Sequence, residues 1–200
     1  MRLLAHACCA HCAAQLVAGA RAEFPGVELA LYWYNPNIHP LIEYRRRLKA
    51  VKMLAERLEM PLVLDDRYGL VEFCRAIHGR EALGERCKVC YAMRLGAAAK
   101  AAREGGFDAF TSTLVTSRHQ DHELIRAAGE AAGAREGVEF VYRDWREARG
   151  EEKWTAMLYK QQWCGCVFSE YDRFKDTIAH VWPVPERKGA SGNRADSTKA

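Results

Sequence analysis

Eight cysteines, Cys8, Cys9, Cys12, Cys74, Cys87, Cys90, Cys164 and Cys166, carry most of the chemistry this chain can do. All but Cys74 fall into three tight clusters. Thiolates are nucleophiles, electron carriers and ligands for soft metals. In Cys87-Lys88-Val89-Cys90 the spacing at a predicted helix start puts two thiols on one face, and the positive helix end with Arg86 favours the thiolate form. Alone, this pair reads equally as a redox dithiol, two buried cysteines or part of a metal site. The run Cys8-Cys9-Ala10-His11-Cys12 narrows the choice, because three cysteines in five residues cannot all pack as inert core after one short strand. Cys9 and Cys12 have the spacing of a redox dithiol between a strand and a helix. Together the two clusters offer five thiolates, one more than a zinc site or a [4Fe–4S] cluster takes. In Cys164-Gly165-Cys166 two cysteines point the same way in an extended chain, and the glycine permits a tight turn. Such a pair can close into a strained, readily reduced disulfide or can serve as two metal ligands. Cys74, between Phe73 and Ile77 in a predicted helix, reads as a small core residue.

The elements that must hold these clusters alternate between strand and helix. Strands are expected over residues 1–7, 27–34, 61–64, 107–113 and 139–142. Helices are expected over about 9–24, 43–60, 69–78, 87–104, 119–132 and 145–162. Tyr44, Leu48, Val51, Leu54, Ala55 and Leu58 recur at helical spacing, and Gly105-Gly106 stops the helix before them. Alternation of this kind argues for an α/β fold with a mostly parallel sheet flanked by helices. Ligands bind such sheets outside the carboxyl ends of the strands. Cys8 to Cys12, the loop Asn35-Pro36-Asn37-Ile38-His39-Pro40 and the turn Thr111-Ser112-Thr113 would then share one rim.

At 200 residues, 49% hydrophobic and 28% charged, the chain has the composition of a soluble globule able to bury a core without disulfides. No run of 18 apolar residues exists to span a membrane, and the N-terminus lacks a signal-peptide pattern. The expected location is cytoplasmic, where clustered cysteines bind metal or do redox chemistry rather than form scaffolding disulfides. A net charge of +4 permits a nucleic-acid partner without demanding one. Two basic stretches stand out: Arg45, Arg46, Arg47, Lys49 and Lys52; and Arg143, Arg146, Arg149, Lys153 and Lys160, interleaved with Trp145, Trp154 and Trp163. Most of these charges read as a solvated helix face, leaving a few for phosphate. Residues 185–200 are a basic tail with no aromatic residue, expected to be disordered, behind a single domain over 1–184.

Five ordered segments resemble the QueH epoxyqueuosine reductases: Cys8-Cys9-Ala10-His11-Cys12; Tyr34 to Pro40; Glu85-Arg86-Cys87-Lys88-Val89-Cys90-Tyr91-Ala92-Met93-Arg94-Leu95; Thr111-Ser112-Thr113-Leu114; and Tyr159 to Ser169. The resemblance covers residues 1 to about 172, with His11 where many relatives carry proline. It implies a Rossmann-like (HUP-like) sheet with a cysteine-bearing helical C-terminal segment. It also implies reduction of epoxyqueuosine at the wobble position of tRNA to queuosine, without cobalamin. A [4Fe–4S] cluster, an additional iron ion and a low-potential electron donor such as ferredoxin or flavodoxin go with that reading. Spacing and resemblance together assign Cys8, Cys9, Cys87 and Cys90 to the cluster, Cys12 to the second metal, and Cys164 and Cys166 to a redox pair. Asn35, Asn37 and His39 are candidate substrate-binding residues, with turn formation as their alternative role. Asp121 is a candidate proton donor or metal ligand, and equally a first-turn carboxylate favoured by the helix dipole.

Two rivals remain. An ATP-dependent tRNA sulfurtransferase would need a glycine- and serine-rich pyrophosphate loop after the first strand, where this chain has cysteines, and no Walker A motif is present. A zinc-stabilised RNA-binding module would use Cys8, Cys9, Cys87 and Cys90 but leave Cys164 and Cys166 idle.

Overall fold

The computed structural model describes residues 1–148 and 153–177. Its elements are β1 (Arg2–His6), α1 (Ala10–Glu23), β2 (Glu28–Trp33), α2 (Leu41–Arg57), β3 (Leu62–Leu64), α3 (Leu70–Ile77), α4 (Glu85–Glu104), β4 (Ala109–Ser112), α5 (His122–Glu136), β5 (Glu139–Phe140) and α6 (Val167–Phe174). Two 3₁₀ turns lie at Thr113–Thr116 and Lys153–Met157. The strands form one parallel sheet in the order β3-β2-β1-β4-β5. That is the expected α/β, Rossmann-like arrangement.

The continuous apolar run of β1 suits a central strand buried on both faces, and Leu3, Leu4, Ala5 and His6 are fully buried. At the sheet edge, β3 is three residues long and half exposed, which limits unwanted pairing. Packing groups α1 with α2 and α4 with α5. Right-handed crossovers place these two pairs on opposite faces of the sheet. Ring-to-backbone contacts fix α5: a Cβ at Gly129 would lie 2.3 Å from the ring of Phe140. Chain order reverses between β1 and β4, so the crevice outside their carboxyl ends is the topological switch point where such sheets bind ligands.

Three expectations need correction. Among the described residues no α-helix covers 145–162, although short turns do. The Gln15 side chain donates to the carbonyls of Trp145 (2.8 Å) and Arg146 (2.9 Å), which a helix would have used for itself. Trp145 is instead buried over Gly19, where a Cβ would lie 2.7 Å from its ring, and its indole N–H donates to Glu23. Cys74 is exposed rather than in the core, because α3 turns only Phe73 and Ile77 inward. Arg47 is not part of a solvated face: it is 1% exposed and bonded to Glu43 (2.6 Å). The expected tail, residues 185–200, lies outside the described residues. Among the described residues, no helix is long and apolar enough to cross a membrane.

Candidate active site at the carboxyl ends of the central strands

The switch-point crevice opens into a cavity of ≈ 800 Å³, and six thiols line it: Cys8, Cys12, Cys87, Cys90, Cys164 and Cys166. All eight cysteines are free. Three chain segments far apart in sequence thus converge on one cavity. Cys9 lies just behind the wall: its sulfur caps α1, accepting from the Cys12 N–H (3.2 Å) and from Gln161 Nε2 (2.9 Å).

Cys8 follows β1 directly and is tied to the turn after β4. The Thr113 hydroxyl accepts from the Cys8 N–H and lies 3.1 Å from its sulfur. Hydrogen bonds from Cys12 and Cys9, with the charge of Arg94, hold the Cys8 thiol well below its ordinary value against the effect of burial. Its neighbour Cys12 is pushed up to about 12, first through its hydrogen bond to Cys8 and then by burial. Of the trio, Cys8 is the thiol that loses its proton most readily. From the sheet's other face, α4 brings Cys87 and Cys90 to the cavity within its first two turns. Gly84, at φ +90°, makes the entry turn that starts α4 there. Burial pushes the Cys90 thiol up to about 12, partly offset by Arg94.

Arg94 is the side chain that spacing alone did not single out. It is 2% exposed, lies 3.8 Å from the Cys90 sulfur and 3.4 Å from the ring of His6. Despite burial, Cys90 and Cys8 hold its guanidinium firmly protonated. Its signal was present: four residues after Cys90, it sits one turn along the same helix face. His6 is kept neutral, its value lowered to about 3 by burial and then by Arg94. Its Nε2 lies 3.0 Å from the Tyr34 carbonyl and its Nδ1 2.9 Å from the Ser112 hydroxyl.

The second wall is the segment 159–166. Arg47 reaches from α2 to donate to the carbonyls of Trp163 (2.8 Å) and Cys164 (3.2 Å), and the His39 N–H donates to the Gly165 carbonyl (2.8 Å). Glu43 pairs with Arg47 and also accepts from the Tyr159 hydroxyl. Gly165 sits at φ +105°, and a Cβ there would lie 2.8 Å from Ile38 Cγ1, so only glycine fits the turn. Cys164 lies 2.8 Å from the Ser169 hydroxyl. Burial and the adjacent Cys164 push the Cys166 thiol up to about 11, so it keeps its proton at neutral pH.

Of the other residues singled out in the sequence, Asn35, Asn37 and His39 are buried behind this wall rather than on it. Asn35 donates to the Ala7 carbonyl (2.9 Å), and His39 Nε2 lies 2.9 Å from the Pro36 carbonyl. Asp121 is exposed, outside the cavity lining, and caps α5 by accepting from the Leu124 N–H (3.0 Å). It is the N-cap of α5, one residue before the first turn expected for it.

The donor set fits an anionic, thiolate-held group. Five cations line the cavity, Arg47, Arg86, Arg94, Lys160 and Arg173, against one carboxylate, Asp172. Arg94 Nη2 and Trp163 Nε1 are buried with no partner among the described residues, leaving donors for acceptor sulfurs. Among the described residues no three Cys, His, Asp or Glu side chains are gathered as ligands of one ion.

The profile of the family described as Epoxyqueuosine reductase QueH matches residues 3–172. The chain belongs to that family. It is 37% identical over 176 residues to the epoxyqueuosine reductase QueH of Dehalococcoides mccartyi, covering 86% of this chain and 94% of the relative. The relatives of that name from Histophilus somni and Haemophilus influenzae are 35% and 34% identical, each covering 87% of this chain and 74% of the relative. Members of the family carry the name of an oxidoreductase, and the matched region spans every thiol on the cavity wall.

Proposed function

We propose that this protein reduces epoxyqueuosine at the wobble position of tRNA to queuosine, with a [4Fe–4S] cluster, an additional iron ion and a redox dithiol. The observation that carries this reading is the convergence of six thiols from three segments on one cation-lined cavity in a chain of the QueH family. Cys8, Cys9, Cys87 and Cys90 would hold the cluster. Cys12, which faces the cavity beside Cys8, would serve the iron ion. When bound, the cluster supplies low-potential electrons singly and the iron a Lewis-acid position.

The chain's own residues supply the rest. Opening the epoxide to an alkene breaks two C–O bonds, forms one C=C bond and releases the oxygen as water. It consumes two electrons and two protons. Closing Cys164 and Cys166 into a disulfide releases two electrons and two protons, which balances one turnover. Cys166 enters as a thiol with its proton in place. Arg94, beside Cys90 and within the field of Cys8, would offset the charge of these sulfurs once they bind as thiolates. A low-potential donor such as ferredoxin or flavodoxin would restore the dithiol. Free thiols throughout suit the reducing cytoplasm.

The test is anaerobic purification, with iron, sulfide and zinc measured, followed by turnover of tRNA carrying epoxyqueuosine. About four iron and four sulfide per chain plus further iron, with queuosine formed, is the expected result. A colourless, zinc-loaded protein that stays inactive after anaerobic reconstitution would move the reading to a zinc-stabilised RNA-binding module.

A further inference from the structure

Several exposed cations elsewhere on this molecule sit beside carboxylates, Arg126 with Glu130 (2.8 Å), Arg103 with Glu136 (3.1 Å), Arg118 with Glu147 (2.6 Å) and Arg146 with Asp144 (2.5 Å), while others such as Arg75 and Arg80 stand singly. The outer face of α2 differs. Arg45, Arg46, Lys49 and Lys52 are all exposed, and none has an ion-pair partner among the described residues. The one exposed carboxylate of α2, Glu56, lies a turn beyond Lys52 and makes no ion pair with it. Clustered like charge is self-repelling, and a polyanion relieves that repulsion.

The stripe also has a direction. Arg45, Lys49 and Lys52 follow the i, i+4, i+7 spacing of one face, over about 10 Å of helix. Arg46 lies over the ring of Tyr159 (5.8 Å), and the next residue, Lys160, lines the cavity. Beneath, Arg47 of the same helix grips the Trp163 and Cys164 carbonyls. The row of cations therefore leads to the mouth of the thiol-lined cavity.

We propose that the Arg45–Arg46–Lys49–Lys52 face of α2 is the RNA-docking surface, where it binds backbone phosphates of the anticodon arm while the modified base enters the cavity past Lys160. This rests on the tRNA activity proposed above. Phosphate contacts of this kind position a substrate without reading its sequence.

The test uses the metal-loaded full chain and a synthetic anticodon stem-loop RNA lacking the modified base, titrated by fluorescence anisotropy across a salt series. Three chains are compared: wild type, an Arg45→Gln/Arg46→Gln/Lys49→Gln variant, and Arg126→Gln as a control at a paired cation. The triple variant is expected to lose about tenfold or more in affinity at low salt. Its log-affinity against log-salt slope should fall by roughly two. The control should match wild type, and all three should hold the same iron content. The docking surface is overturned if the triple variant binds with wild-type affinity and slope, if the control loses as much, or if wild type binds anionic vesicles but not the stem-loop. Turnover separates the two readings. A triple variant that binds like wild type beside a wild type that reduces epoxyqueuosine removes the surface alone. An α2-dependent affinity in a wild type that reduces nothing removes the activity alone.

Discussion

Two walls of the cavity hold their cysteines by different means. On one, Cys8, Cys12, Cys87 and Cys90 sit just past a strand buried from Leu3 to His6 and on the first turns of two helices packed into the sheet. On the other, Cys164 and Cys166 sit in an irregular turn whose three consecutive carbonyls, those of residues 163, 164 and 165, are each held by a donor from elsewhere in the chain. The first wall inherits its geometry from the sheet; the second depends on one buried ion pair, Arg47 with Glu43. The first arrangement suits thiols that must keep a fixed spacing around a bound group. The second suits a pair whose sulfurs change partners while the backbone stays in place.

The sharpest test of that contrast is a pair of double variants. Cys87→Ser/Cys90→Ser should lose essentially all cluster iron, and with it all turnover. Cys164→Ser/Cys166→Ser should keep its iron and visible absorption yet lose turnover by about a thousandfold or more, on the order of a removed catalytic nucleophile or proton donor. Full turnover in the second variant would end the redox-pair role. Loss of iron in the second variant would mean that both walls bind metal and that the contrast is false.

Next in size is the ion pair. Replacing Arg47 with Met strands the Glu43 carboxylate and releases the two carbonyls, at a cost of about 3–5 kcal/mol in unfolding free energy. Adding Glu43→Gln should recover part of that loss, since no buried charge is then left unpaired. Denaturant unfolding of the single and double variants checks both statements. Equal losses in the two would show that the staple acts through Arg47's packing alone. Single variants separate Cys12, on the first wall, from Cys9 behind it. Cys12→Ser should keep the cluster and lose the additional iron, whereas Cys9→Ser should lose the cluster; metal analysis of the two variants decides. The reverse pattern would exchange their roles.

The first wall was legible in the sequence because its information is local. A short apolar strand, a cysteine run and an alanine-rich helix follow one another over residues 2–23, and Cys-x-x-Cys opens a helix bounded by glycines. The parallel order of the sheet followed from the same alternation. What failed to show were contacts between distant segments. Residues 145–162 carry the charge and aromatic spacing of a helix, but Gln15 and Glu23 of α1 take up the polar groups of Trp145 and Arg146 that would have begun it. Arg47 resembled its basic neighbours until Glu43, Trp163 and Cys164 surrounded it. Asn35, Asn37 and His39 follow β2 and are buried, outside the cavity lining, a depth that their turn-forming residue types did not reveal.

That depth gives the smallest of the expected effects. His39 is 3% exposed and supports the second wall through its N–H to the Gly165 carbonyl. Burial lowers the affinity of its ring for a proton, and the hydrogen bond to the Pro36 carbonyl only partly restores it. The folded state therefore takes up fewer protons than the unfolded state as pH falls below the ordinary histidine value of about 6.5. Stability linked to His39 is fully present above that pH and is lost below it, by up to about 1.4 kcal/mol per pH unit until the folded form titrates. Between about pH 7.5 and 5.5, wild type should lose stability more steeply than His39→Gln, which has no proton to gain. Urea midpoints across that range measure the difference. The first wall contains no His39, so its signature, the iron content of the loaded protein at pH 7.5, should be the same in both chains. Parallel pH profiles would show that the His39 ring is hydrated and that the second wall is looser than its hydrogen bonds imply.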